Sequence, residues 1–256
     1  MPNLFDNATN RQGLIVYGGE SSSDYGMVVA EAPAYERPKR KQTIYNVPGR
    51  NGSILFQEDA WEDVNRSYKV WLAEDANDTL VEKVDDFEAM LNSKTGYQRL
   101  EDNFEPDVYR LAYYSGGDGF SNNLTQYGEA TLNFTCRPER FLKSGETAIT
   151  ITDQGTITNP TKYISKPLIR ISGSGKIRMW IANSTATEGN EIVATVTDLL
   201  YIDCESMNAY RSLADYQNHQ ISGDFPVIYP GANTTGITAV TGTLTSVRVT
   251  PRYFTI

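Results

Sequence analysis

Two stretches of this chain restrict its fold more than any others: Asn46-Val47-Pro48-Gly49-Arg50-Asn51-Gly52-Ser53-Ile54-Leu55, and the run from Asn159 through Lys166-Pro167-Leu168-Ile169-Arg170-Ile171 to Gly175. Both set strand-forming residues beside proline and glycine, which end strands and shape turns. The same pattern recurs along the chain. Residues 14–17, 27–30, 43–47, 53–57 and 68–72 are rich in Val, Ile, Tyr, Trp or Phe and are bounded by Gly, Pro, Asn or Ser, which predicts short strands. Further strands are expected at 97–100, 108–114 and 127–136, with Gly116-Gly117-Asp118-Gly119 as a loop between the last two.

One segment departs from this rhythm. Between Thr79 and Ser93, Leu80, Val84, Phe87 and Leu91 recur at helical spacing, with Glu82, Asp85, Asp86 and Glu88 on the other faces. Thr79 can cap this helix while Glu82 reaches back, and Lys94 and Gly96 supply a stop. A lone amphipathic helix among strands must lay its apolar stripe across a sheet, with Phe87 at its centre.

Beyond residue 143 the chain changes character. Residues 144–159 are rich in Thr, Gly and Ile, and strands are expected at 168–173, 176–182, 192–197, 199–204, 226–229 and 244–251. Turns at Gly173-Ser174-Gly175, Glu188-Gly189-Asn190, Ser222-Gly223-Asp224 and Pro230-Gly231-Ala232-Asn233 separate most of them, a spacing that suits an antiparallel sandwich. Pro138 in Arg137-Pro138-Glu139-Arg140-Phe141 is expected to end the preceding strand. The sequence therefore divides into domains 1–143 and 144–256, as 256 residues allow.

Composition narrows function. A formal net charge of -9 disfavours a phosphate backbone, so no nucleic-acid binding is expected. The one basic run, Arg37-Pro38-Lys39-Arg40-Lys41, reads as a solvated edge strand or a subunit contact. No apolar stretch approaches the roughly 20 residues that span a bilayer, and Met1 to Asp6 lack the pattern of a signal peptide, so no membrane insertion is expected and folding is placed in the cytoplasm. Cys136 and Cys204 sit in apolar stretches and read as buried thiols.

Catalytic signatures are sparse. His219 is the one histidine, in a polar stretch without a nucleophile motif, and it reads as a loop residue. Glu58, Asp59, Glu62 and Asp63, near Trp61 and Tyr68, form the densest carboxylate group, and an acidic surface segment explains them more simply than a glycosidase pair. Asp75, Asn77, Thr79 and Asp86 echo a calcium loop, but Leu80 replaces the required glycine. The expected sets of catalytic, metal and cofactor-binding residues are empty.

Taken in order, several segments resemble the distal tail proteins of long, non-contractile-tailed phages. They are Ser23-Asp24-Tyr25-Gly26-Met27-Val28-Val29, the Val47 to Gly52 turn, the lone helix, Phe134 to Pro138, Asn159-Pro160-Thr161, Ser165-Lys166-Pro167, Tyr201-Ile202-Asp203-Cys204-Glu205, and Gly223-Asp224-Phe225-Pro226 with Pro230-Gly231-Ala232-Asn233. The resemblance implies a mainly β chain: an N-terminal ring-forming domain with one helix, and a C-terminal galectin-like β-sandwich. It implies a non-enzymatic virion protein of the tail tip and baseplate, a homohexamer or pair of stacked rings. Such a ring joins the tail tube protein to the tail-associated lysin or hub and supports receptor-binding proteins. Within it, Val47, Pro48, Gly49, Arg50, Asn51 and Gly52 form the candidate ring-contact loop, with Arg50 offering a forked donor to a neighbour. A carbohydrate-binding module or adhesin is the second reading, because 16 Tyr and 3 Trp permit stacking on sugars. A β-rich glycoside hydrolase is the third.

Overall fold

The structure, a computed structural model, describes residues 13–34, 36–73, 80–119, 121–123, 127–183 and 190–256. The expected cap Thr79, the calcium-loop residues Asp75 and Asn77, the segment Met1 to Asp6, and Glu188 and Gly189 lie outside the described residues. The chain is mainly β and falls into two compact units, Met1–Arg140 with Ile256, and Phe141–Thr255.

Unit 1 contains β1 (Ile15–Tyr17), β2 (Glu20–Ser21), β3 (Met27–Val29), β4 (Arg40–Tyr45), β5 (Ile54–Trp61) and β6 (Val64–Ala73). After α1 (Leu80–Ser93) come β7 (Gln98–Asp102), β8 (Val108–Gly117), β9 (Ser121–Asn123) and β10 (Tyr127–Leu142). The main sheet runs β2-β1-β7-β8-β10-β6-β3, with described pairings antiparallel. A bridge from Gly13 to Val29 brings the sheet's two ends together, so it curls.

The period of two explains why. Tyr68, Val70 and Leu72 on β6, and Ala130, Leu132, Phe134 and Cys136 on β10, are buried on one face, while Lys69 and Glu129 point outward. Phe134 sits at the centre, its ring 5.1 Å from that of Tyr17, 5.6 Å from Tyr114 and 5.9 Å from Tyr68. The helix forms where the periodicity predicts it, and Phe87, Met90 and Leu91 join this core with Val84 half-buried beside them. Val81 stays exposed on the opposite face.

Two details depart from the sequence-based expectation. Gly116 and Gly117 extend β8 rather than forming a loop. β10 runs through Pro138 to Leu142, because its ladder with β6 ends at Cys136 opposite Val64 and Pro138 owes no donor to that neighbour.

Unit 2 is an antiparallel sandwich built from β11 (Ile149–Ile151), β12 (Gln154–Asn159), β13 (Leu168–Ala182), β14 (Glu191–Val196), β15 (Leu199–Asp203) and β16 (Asn208–Ser212). It is completed by β17 (Asp215–Tyr216), β18 (Ile221–Gly223), β19 (Gly231–Ala239) and β20 (Thr243–Thr250), and β21 (Phe254–Thr255), which follows, pairs with β10 instead. One sheet has the order β11-β20-β13-β15-β16-β17, and the other joins β12, β19, β13, β14 and β18. Ile169, Ile171, Ile177, Met179, Ile181, Leu200, Ile202, Val247 and Val249 fill the space between.

β13 corrects the expected turn at Gly173-Ser174-Gly175. It is one continuous strand, pairing with β15 and β20 over its first half and with β14 and β19 over its second. It crosses from sheet to sheet at a register shift between Ser172 and Gly173. Gly173 and Gly175 have φ of 152° and 102°, and a Cβ at Gly175 would lie 2.2 Å from the Thr241 carbonyl oxygen, so the glycines make the bend possible rather than ending the strand.

The region 226–229, expected as a strand, is instead an extended segment held by side-chain amides, with one bridge from Ile228 to Ser165. Asn190 exchanges two hydrogen bonds with the Val227 backbone at 2.7 and 2.8 Å. Asn233 does the same for Tyr229 at 2.7 and 3.0 Å, and Asn159 donates to the Ile228 carbonyl at 3.2 Å. These amides replace a neighbouring strand, and the true strand, β19, begins at Gly231 where a turn was expected.

Candidate assembly surface

β4 and β5 form a two-stranded sheet of their own, an arm closed by the loop at residues 47–52. In the loop, Gly49 and Gly52 take φ of 79° and 80°, the Arg50 N–H donates to the Val47 carbonyl at 3.2 Å, and Ser53 Oγ donates to Asn46 Oδ1 at 2.6 Å. Val47, Pro48, Gly49, Arg50, Asn51 and Gly52 are all exposed, and Arg50 makes no ion pair among the described residues.

The arm also exposes Ile44 (56%), Tyr45 (55%), Leu55 (49%) and Phe56 (59%). The pairs Ile44–Leu55 and Thr43–Phe56 face opposite sides, so both faces of the ribbon are apolar near its tip. Toward its base it becomes charged. Arg40 lies 4.9 Å over the Trp61 ring and 3.5 Å from Asp59, and Glu58, Glu62 and Asp63 are exposed nearby. A lone two-stranded ribbon is marginal in water, and apolar side chains on both faces make it a candidate surface for another protein.

The strand that follows the arm carries a buried charged cluster. Arg66, 4% exposed, pairs with Asp102 at 2.7 Å and Glu105 at 3.3 Å, and its Nε donates to the Tyr68 hydroxyl at 2.7 Å. The Tyr68 hydroxyl donates to Asp102 at 2.7 Å, while Asp102 Oδ1 accepts from the N–H groups of Phe104 and Glu105 at 3.1 and 2.9 Å. Arg110 and Arg140 close the cluster on Glu105. Burial works against the Arg66 charge, but Tyr68 and Asp102 outweigh it and keep the guanidinium protonated well above its ordinary range. Burial pushes the Tyr68 phenol well up. The cluster ties the β7–β8 turn to β6 and fixes the root of the arm.

The expected chemical residues fall elsewhere. His219 lies exposed in a short 3-10 turn beside Gln220 at 3.0 Å. Tyr68 is buried in the charged cluster, away from solvent, and Glu58 and Asp59 are exposed on β5. Cys136 and Cys204 are free and buried, and burial pushes their thiols up to about 11 and about 12, which keeps them unreactive. The apolar arm was missed as a site from sequence, although Ile44-Tyr45 and Leu55-Phe56 put apolar residues on both parities of paired strands. Arg66 had a signal too, since it shares the inward parity of Tyr68, Val70 and Leu72.

No family model and no curated protein matches this sequence. Among solved structures, the chain is similar to the Dit protein of SPP1, a paradigm of hub adsorption apparatus in Gram-positive infecting phages, with a TM-score of 0.68 and 12% identity over 95% of this chain and 99% of that one. It also aligns with a chain of the phage P2 baseplate in its activated conformation with Ca, with a TM-score of 0.48 and 11% identity over 93% of this chain and 97% of that one. The SPP1 likeness spans nearly the whole of both chains, and this chain has the fold of a phage distal tail protein.

Proposed function

We propose that this chain is a structural component of a phage tail tip. It assembles into a hexameric ring, alone or as stacked rings, that joins the tail tube protein to the tail-associated lysin or hub and supports receptor-binding proteins. It works in the virion after assembly in the host cytoplasm, and it carries out no catalysis. The observation that carries the reading is the β4–β5 arm, which exposes apolar residues on both faces in a chain with a distal tail protein fold. A projecting ribbon received by the next copy is a heterologous contact, and repetition of such a contact closes a ring when the rotation per subunit fits.

In that ring the loop at residues 47–52 seats against the neighbour, with Arg50 paired to a carboxylate or to carbonyl groups. The test is the solution mass of the full-length protein by light scattering, with negative-stain imaging of the same peak. Hexamers, or double hexamers, with a central hole are expected. A monomer at every concentration overturns self-assembly.

A further inference from the structure

The outer face of one sheet of unit 2 carries a row of six residues in register. Thr150 on β11 pairs with Arg248 on β20, Arg248 with Arg170 on β13, Arg170 with Tyr201 on β15, Tyr201 with Tyr210 on β16, and Tyr210 with Tyr216 on β17. At about 4.8 Å per strand, the row extends roughly 24 Å. From these residues we infer a binding site for an anion-bearing glycan, a role separate from ring assembly.

The two arginines provide the first argument. Arg170 and Arg248 stand directly opposite one another, an arrangement that repels in the absence of a counter-charge. Neither makes an ion pair or a side-chain hydrogen bond among the described residues, and Arg170 Nε is buried with no acceptor. In a chain of net charge -9, two adjacent unpaired guanidinium groups are the exception. A carboxylate or phosphate seated between their forks relieves the repulsion and accepts from both.

Asp203, two residues beyond Tyr201 on β15 and on this face, does not serve. Arg252 holds it at 2.7 and 3.4 Å.

The tyrosines provide the second. Tyr201 and Tyr210 stack at 5.5 Å with 17° between their planes, and Tyr216 meets Tyr210 edge-on at 6.5 Å and is 59% exposed. None of the three hydroxyls has a hydrogen-bond partner among the described residues. A stacking surface continuous with unsatisfied hydroxyls suits a ligand that offers both a hydrophobic face and many hydroxyl groups, as a sugar ring does. Beside the arginines the next outward pairs are Ser172 with Ser246 on one side, which adds hydroxyls, and Leu168 with Thr250 on the other.

The experiment titrates full-length protein with polygalacturonate, phosphomannan, neutral dextran and poly-glutamate at low and high salt. Binding to polygalacturonate or phosphomannan, weakened by salt, is expected, and the tighter of the two identifies the anion as carboxylate or phosphate. The double variant R170Q/R248Q should weaken it at least about tenfold, and Tyr216→Ala about threefold or more. Arg211→Gln, whose guanidinium is exposed and bonded to Thr197, should leave it unchanged. Thermal unfolding of each variant confirms that the fold is intact. Failure of both acidic glycans to bind, binding indifferent to the double variant, or tighter binding of poly-glutamate than of either glycan overturns the proposal.

Discussion

Replacing Phe56 with alanine separates assembly from folding. A covered phenylalanine buries roughly 200 Å², so a ring that is 59% exposed in the single chain leaves about 120 Å² for a neighbour to cover. At about 25 cal/mol per Å² that surface is worth ~3 kcal/mol in each contact of the proposed ring. Alanine retains a little of it, so each contact should weaken by about 2–3 kcal/mol, or roughly 30- to 150-fold. Inside the chain Phe56 touches Tyr45 edge-on at 5.6 Å and belongs to neither core, so folding stability should change by less than about 1 kcal/mol. Phe134→Ala is the converse control: that ring is fully buried among three tyrosines, and its loss should cost about 3–5 kcal/mol of stability. Light scattering across a concentration series, paired with urea unfolding, reads both quantities. If Phe56→Ala assembles like the parent chain, or destabilises the fold as much as Phe134→Ala does, the arm is not the contact.

Three further outcomes are expected. Asp102→Ala leaves Arg66 without its closest carboxylate and frees two backbone donors, so urea unfolding of unit 1 should report a loss of about 3–5 kcal/mol, and Asp102→Asn a smaller one. Burial pushes the Asp203 carboxyl up, but Arg252 and the N–H groups of Glu205 and Ser206 outweigh burial and hold it below its ordinary value. Its folded value being the lower, the pair contributes full stability above about pH 4 and loses it as pH falls through the folded value; Asp203→Asn should flatten that part of the stability-against-pH curve, and an unchanged slope would contradict the pairing. Gly175→Ala places a Cβ 2.2 Å from the Thr241 carbonyl at a φ of 102°, so denaturant unfolding should show a loss of about 3 kcal/mol, whereas a neutral result would mean that the bend tolerates a side chain.

The elements legible in the sequence were those in which one physical signal dominates. Phe87 and Leu91 at helical spacing set the helix against the sheet, and Tyr68, Val70 and Leu72 give the inward face of β6 by simple alternation. Elsewhere two signals compete. Gly173 and Gly175 read as a turn because glycine serves both turns and tight backbone approaches, and only the carbonyl groups of Thr241 and Thr243 across the bend decide between them. Residues 226–229 look like a strand because they are extended and apolar. Their hydrogen bonds come from Asn159, Asn190 and Asn233, amides distant in sequence that no local pattern reveals. β19 was hidden for the opposite reason, since its Thr and Gly composition resembles a loop until Ile237 and Thr235 are seen to be buried. The loop at residues 47–52 was identified by its turn residues, yet the larger part of the exposed apolar surface lies on the strands beside it.

β13 gives the sandwich a mechanical property that two separately threaded sheets would lack. Two sheets held together by side chains alone can slide past one another once their packing loosens. Here a single backbone leaves one sheet and enters the other, so shear between the layers is carried by covalent bonds through residues 172–175. The side chains between the layers then need only resist compression. Tension applied to β20 or β15 passes along the same chain to β19 and β14, and the sandwich yields as a whole rather than peeling layer by layer.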